Sequence, residues 1–316
     1  MNANGEASLS LDLDNLWSYL KVAGDDSWER LPSYFDVAVP RFLDFFKQRN
    51  LEITVFVVGQ DAVLPHNAPW LRVIGDSGHE LGNHSFDHEP WIVSASFDDA
   101  RREIARAHEA IAEASGQQPV GFRGPGFASS SALRRALVHE GYRYDASRLP
   151  TFIGPLARSY YFRSARMNGA ARRKRAGLFG SWQEGFSPNH ARAVSYAGRT
   201  IVDIPVTTMP ITRLPIHCSY LHYLNAISPA IADRYFEISL RLCKVTGTMP
   251  SLLLHPLDFL GRDDAPALRF FPVMDKNHEE KVCATARFVD AFAAQYDVIP
   301  LRRHASSVAD LLGASA

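Results

Sequence analysis

Apolar and polar positions along the chain follow two periods, and the switches between them divide it into strands and helices. Leu9 to Leu13 reads Leu-Ser-Leu-Asp-Leu, a period-two strand that runs into acid residues. Val37 to Gln48 sets Val37, Phe42, Phe45 and Phe46 at helical spacing, and the β-branched run Ile53 to Val58, closed by Gly59, predicts a second strand. Ala68 to Ser77 reads as a helix, followed by a short segment into Glu80 and Leu81. Asp98 to Ser115 is an amphipathic helix: Ser96 stands at the N-cap, Asp98 and Asp99 suit its positive end, and Gly116 stops it. Val120 to Phe122 predicts a short strand, Ser130 to His139 a helix, and Gly141 to Tyr144 a turn into a strand. Past an irregular stretch, Thr200 to Pro205 and Ser251 to Leu254 predict strands and His278 to Tyr296 a long helix. Such alternation predicts a parallel sheet with right-handed crossovers, either an open doubly wound sheet or a barrel.

Composition narrows the class. With 316 residues, 46% hydrophobic and 22% charged, the chain has ample material for a large core, which excludes disorder as a description of the whole. Its length fits one α/β barrel as well as two domains. Lys+Arg and Asp+Glu both number 34, and that balance argues against a bulk nucleic-acid binder. Cys218, Cys243 and Cys283 are widely spaced with no C-x-x-C pair, which predicts buried, reduced thiols and no disulfide framework. Met1 to Ser10 lacks a basic and an apolar leader segment, and no stretch approaches the roughly 18 apolar residues of a membrane span. The expectation is a soluble, cytoplasmic protein.

The charge is unevenly spread. Ser147 to Gln183 contains no acid residue but carries Arg148, Arg158, Arg163, Arg166, Arg172, Arg173, Lys174 and Arg175, with Tyr160, Tyr161, Phe162, Phe179 and Trp182 among or beside them. Two readings fit: a solvated loop, or a grip on an anionic lipid surface or a carrier-lipid phosphate at the inner membrane face.

Four short motifs carry chemistry. His84 and His88, in Asn-His-Ser-Phe-Asp-His, stand at i and i+4, where a helical turn would aim both at one metal ion; surface or capping roles are the alternative. Asp12 and Asp14 share a strand face, so both carboxylates can enter one cavity, or Asp14 can cap a turn. Gly121 to Phe127, with Arg123, Pro125 and Gly126, forms a tight turn after a strand that can expose backbone N–H groups beside a fixed cation. His255 ends the apolar strand Ser251 to Leu254, as a functional or a satisfied core histidine. Asp87 is expected to cap its turn and His79 to pack at a strand end. His66, His108, His139, His217, His222, His278 and His304 share no ligand spacing.

In chain order, Asp-x-Asp, His-Ser-x-x-His, Arg-x-Pro and Leu-x-Leu-His-Pro resemble the signatures of the polysaccharide deacetylases, the NodB-like carbohydrate esterases of family 4. Thr54 to Gly59 is similar to that family's second-strand motif. The resemblance implies a distorted (β/α) barrel of about seven parallel strands, one catalytic domain over 1–316 with a basic insertion at about 148–199. It implies one divalent metal, zinc by preference, on Asp14, His84 and His88. Asp12 would be the general base, Arg123 would hold it ionised, and His255 would be the general acid. The Gly126 N–H would serve as oxyanion donor, with Pro125 and Phe127 beside the substrate. Asp145 would orient a catalytic group or cap a turn, and Asp203 would sit at the rim.

Three departures bear on the substrate. Leu13 separates two acids that are commonly adjacent, Gly126 stands where an aromatic often follows the proline, and no tryptophan follows Asp145. The Asp-x-Asp form resembles a subgroup holding a deformylase of lipid-linked aminoarabinose and amidases of non-sugar substrates. The expected reaction is removal of an acetyl or formyl group from an amino sugar in a glycan, an oligosaccharide or a lipid-linked sugar. A non-sugar amidase and a non-catalytic carbohydrate- or membrane-binding protein are the alternatives; a binder has no need of the full residue set.

Overall fold

The computed structural model describes residues 5–154, 182–196, 198–271 and 273–311. Nine strands form one sheet: β1 (Glu6–Leu13), β2 (Thr54–Val57), β3 (Glu80–Asn83), β4 (Gly121–Phe122), β5 (Tyr144–Asp145), β6 (Arg192–Tyr196), β7 (Arg199–Asp203), β8 (Ser251–Leu254) and β9 (Asp297–Ile299). Their order is β6-β7-β5-β4-β3-β2-β1-β8, with β9 paired to the start of β1. All pairings are parallel except the hairpin of β6 on β7. The sheet curls into a half-barrel whose flanks meet just beyond β7. There Thr207 N–H donates to Ser251 O at 2.9 Å and Ser251 N–H to Thr207 Oγ1 at 2.8 Å. The barrel class holds: β1, β2, β3, β4, β5, β7 and β8 supply seven parallel strands, and the short β9 adds an eighth beside the start of β1.

The period-two pattern of β1 explains both of its faces. Ala7, Leu9, Leu11 and Leu13 are fully buried against helices, in one cluster with Phe42, Phe46, Phe288 and Val289. Ser8, Ser10 and Asp12 point the other way, into the barrel. Ser8 Oγ contacts His304 Nδ1 at 2.8 Å, and Ser10 Oγ accepts from Arg123 at 2.9 Å. Small hydroxyls thus line the interior below the acids. Gly59 opens the helix that follows β2, where a Cβ would come within 2.6 Å of the Phe86 ring and 2.8 Å of the Ala107 backbone.

Ten helices cover the sheet among the described residues: α1 (Leu16–Ala23), α2 (Phe35–Lys47), α3 (Gly59–Ala62), α4 (Ala68–Asp76), α5 (Phe97–Ser115), α6 (Ser131–His139), α7 (Cys218–Ile227), α8 (Pro229–Val245), α9 (His278–Ala293) and α10 (Leu301–Leu311). Capping sets several boundaries. Ser96 accepts from Asp99 N–H, Ser130 from Leu133 N–H, and Gly116 closes α5 at φ 80°. Five helices lie where no pattern announced them. Helices α1 and α3 are too short for a periodic signal, α10 follows the last predicted helix, and α7 and α8 fill the span between the predicted strands Thr200 to Pro205 and Ser251 to Leu254. Ser228 separates that pair by accepting from Ile231 N–H, with Pro229 at the first helical position.

Two expectations need correction. Cys283 is exposed, unlike Cys218 and Cys243. Arg148 belongs to no solvated surface: it is buried and paired with Asp203. Arg172, Arg173, Lys174 and Arg175 lie outside the described residues.

Candidate metal centre and its pocket

The strand register assembles the centre from both ends of the chain. Leu11 lies beside Leu254 in the β1–β8 ladder, so Asp12 and His255 leave neighbouring strands at the same level. Asn83 lies beside Phe122 in the β3–β4 ladder, which sets His84 beside Arg123. All of this happens at the carboxyl ends of the strands, where α/β barrels place their sites.

His84 and His88 do not ride on a helical turn, contrary to the expectation from their spacing. Residues 84–89 are irregular, and Ser85 and His88 take left-handed conformations at φ 63° and 52°. The loop is held from outside instead. Glu103 of α5 accepts from Phe86 and Asp87 N–H at 2.9 and 2.7 Å, and Asn83 Oδ1 accepts from Ser85 N–H at 2.8 Å. Asp87 points away, toward Arg106 at 3.8 Å.

His84 Nε2 and His88 Nε2 lie 3.4 and 2.9 Å from Asp14 Oδ1. These separations are close to the edge, roughly 3.3 Å, of a tetrahedron of ligands around a zinc-sized ion. His84 Nδ1 contacts the Arg123 carbonyl at 2.7 Å; as a donor there, it turns the Nε2 lone pair toward Asp14. Asp14 Oδ1, His88 Nδ1 and His88 Nε2 are buried without a hydrogen-bond partner among the described residues. Buried lone pairs left unmatched are costly, and a cation at their focus satisfies them. The donor set, two imidazoles and one carboxylate, fits a divalent metal with one position open to the pocket.

The charges agree. Burial pushes the Asp14 carboxyl up, but His88 and His84 outweigh it and hold it well below the usual carboxylate range. Burial pushes His84 down, and the Asp12 and Asp14 carboxylates overcome that and raise it. Asp12 is held differently. Arg123, fully buried, donates from Nη1 to Asp12 Oδ1 at 2.6 Å and from Nε to Ala146 O at 3.0 Å, with its guanidinium 4.4 Å over the Phe56 ring. That clamp leaves Asp12 Oδ2 3.9 Å from His84 Nε2.

A cavity of about 560 Å³ opens onto these groups, with Gly126, Phe127 and His255 in its wall. Gly126 is left-handed at φ 58°, inside the turn Pro125–Phe127. Ser147 Oγ accepts from Gly124 N–H at 2.9 Å and itself donates to Asp145. Asp145 therefore braces the turn after Arg123, and neither it nor Pro125 lines the cavity. Asp203 is engaged by Arg148 and Arg192 and is also absent from the wall. His255 Nδ1 contacts Ser219 Oγ at 3.2 Å, and its N–H donates to Asp258 at 2.8 Å. His79 packs at its strand end, its Nδ1 accepting from Ile53 N–H at 3.2 Å.

Residues 25–144 match the family described as polysaccharide deacetylase. The matched segment holds His84, His88 and Arg123, while Asp12, Asp14 and His255 lie on either side of it. A peptidoglycan deacetylase of Helicobacter pylori is 28% identical over 160 residues, 48% of this chain and 51% of that protein. A peptidoglycan-N-acetylglucosamine deacetylase of Bacillus cereus is 31% identical over 86 residues, 27% of this chain and 30% of that protein. The chain thus spans about half the length, or less, of these curated relatives. A solved Mycobacterium smegmatis structure, provisionally assigned to the polysaccharide deacetylases, superposes with a TM-score of 0.64 at 19% identity. It covers 98% of this chain and 93% of that one, and so shares the fold.

Sequence reasoning missed part of the pocket. Tyr19, His217, Ser219, His222, Asp258 and Lys281 all line it. His217 and His222 carry no local spacing signal, because α7 delivers them from a stretch with no periodic pattern.

Proposed function

We propose that the chain is a metal-dependent amide hydrolase that removes an N-acyl group, acetyl or formyl, from an amino sugar. The observation that carries this reading is the convergence of His84 Nε2 and His88 Nε2 on Asp14 Oδ1, at 3.4 and 2.9 Å and buried, beside an Arg123-clamped Asp12. Asp14, His84 and His88 would hold the metal. When bound, a zinc-like ion supplies Lewis acidity to the amide carbonyl and to the attacking water.

The chain's own groups do the rest. Asp12 takes the proton from the water as its oxygen bonds to the acyl carbon, and Arg123, donating to it at 2.6 Å, holds that carboxylate in place. The Gly126 N–H donates to the carbonyl oxygen as it gains charge. His255 protonates the nitrogen as the C–N bond breaks, with Ser219 and Asp258 fixing its ring and backbone. One amide and one water give one carboxylic acid and one amine. A lipid-linked form of the sugar is supported by the basic run Arg172 to Arg175 in the sequence.

A second reading, a non-sugar amide, is favoured by the wall itself, where Val22, Leu149 and Leu257 stand among the lining side chains. The test is acetate and formate release by the zinc-loaded chain across N-acylated amino sugars, lipid-linked sugars and simple amides. Turnover of sugars supports the first reading, and turnover of simple amides alone replaces it with the second. No release from any of them overturns both.

A further inference from the structure

The pocket holds two hydrogen-bond donors that nothing in the proposed reaction uses. Tyr19, on α1 just after Asp14, is 9% exposed, and its hydroxyl has no hydrogen-bond partner among the described residues. Its ring sits edge-on to Phe271, 5.0 Å between centroids. Lys281, on α9, is 3% exposed, and its Nζ lies 3.1 Å from the thioether sulfur of Met274, a weak acceptor. Among the described residues no carboxylate comes within 4.0 Å of it. Asp258 is occupied by His255 N–H at 2.8 Å and Ser219 Oγ at 3.3 Å, and Asp264 by Arg41 at 2.7 Å.

A buried ammonium whose nearest carboxylates, Asp258, Asp275 and Asp264, act on it only from beyond ion-pair contact is costly in a fold, and an anion seated beside it relieves that cost. Burial pushes Lys281 down to about 8, which leaves it charged at neutral pH. Burial holds the Tyr19 phenol well above its ordinary range, with the Asp14, Asp258 and Asp12 carboxylates adding to the effect, so it remains a donor. Both residues line the same cavity as Asp14, His84 and His88. At about 560 Å³, that cavity is sized for one compact molecule.

We propose that the pocket takes a compact N-acyl substrate bearing one carboxylate, which Lys281 and Tyr19 receive while the amide lies at Asp14, His84 and His88. This rests on the hydrolase reading and narrows it. The carboxylate stays intact; the acyl C–N bond is the one that breaks, with water supplying the oxygen and both protons.

The zinc-loaded full chain is given N-acetylmuramic acid and N-acetylglucosamine, which differ by one carboxylate-bearing arm. A charge-assisted hydrogen bond is worth about 1.5–3 kcal/mol, so KM for the acid should be lower by roughly 10- to 100-fold. Lys281→Met and Tyr19→Phe should each shrink that preference and bring the two KM values together. Both substitutions nearly conserve volume, and Tyr19→Phe removes a single oxygen, so a matching unfolding temperature confirms that the pocket is intact. Calorimetric binding of N-acetylmuramic acid to the Asp12→Asn chain should weaken by a similar factor when Lys281→Met is added. Equal KM values for the two sugars, or variants that shift both alike, overturn the carboxylate site and leave the hydrolase standing. Failure to release any acyl group from either sugar, or from the wider panel above, overturns both.

Discussion

Among the described residues, two buried clusters pass the same first test for a metal site. Asp14, His84 and His88 form one; Cys218, His222 and Asp258 form the other, and in each the ligand atoms lie within 4.8 Å of one another. They differ in what their lone pairs are doing. In the first, Asp14 Oδ1 and His88 Nε2 face each other at 2.9 Å and have no hydrogen-bond partner outside the cluster among the described residues. In the second, His222 Nε2 lies 2.9 Å from Thr285 Oγ1, and that hydroxyl donates to the Asp258 carbonyl at 3.0 Å. Asp258 caps the turn at His255, and burial pushes the Cys218 thiol well above its ordinary range, so it stays protonated. Ligand-type residues in proximity are thus common to a binding site and a structural knot. What separates them is unsatisfied capacity.

The largest test of that contrast is elemental analysis of variants from each cluster. Asp14→Ala or His88→Ala should abolish metal binding and turnover together, while Cys218→Ser and His222→Gln should keep one metal per chain. Loss of metal from the second pair would invert the comparison. Next, Asp12→Asn should retain the metal and lose about 10²- to 10⁴-fold in kcat, the usual range for general-base removal. Full turnover with metal bound would show that Asp12 is no base. Arg123→Met should destabilise the fold by about 3–5 kcal/mol in denaturant titration, since it strands a buried carboxylate. Thr285→Val should cost about 1–3 kcal/mol by unmatching His222 and add no second metal.

The smallest effect is a pH dependence at Asp61, behind the metal centre. Its Oδ1 accepts from Asn15, Trp17 and Asn67 at 2.7, 3.0 and 2.8 Å, yet burial pushes the acid up to about 7. A folded-state value above the unfolded one means the native chain holds the extra proton. Its contribution is therefore full below about pH 4 and is lost as the pH rises toward 7. Asp61→Asn should remove that decline, so its unfolding temperature relative to the parent should climb between pH 4 and 7. A flat difference would mean Asp61 is ionised throughout.

Much of this was legible in the chain, and the limits have physical causes. Ser96, Ser130 and Gly116 announce helix ends because capping is a local hydrogen bond. The strand of Leu9 to Leu13 is legible because period two survives burial on both faces. The spacing of His84 and His88 signalled a shared target but misled about the backbone, which takes positive φ at Ser85 and His88 in a loop whose Phe86 and Asp87 N–H groups bond to Glu103, remote in sequence. Arg148 read as surface charge because Asp203, its partner, is remote in sequence. Tyr19, His217 and Lys281 gave no signal at all: each joins the pocket through the packing of α1, α7 or α9.

By itself the sequence determined the strand–helix alternation, the caps and four motifs whose order resembles one family. Those features depend on neighbours within a turn or two, which the chain states directly. Only the tertiary structure decided that Asp12 stands level with His255, that one ligand-type cluster faces the pocket and the other is closed by Thr285, and that a buried ammonium outside ion-pair contact faces the same cavity. Those outcomes depend on strand register and on which lone pairs find partners, and both are set by contacts far apart along the chain.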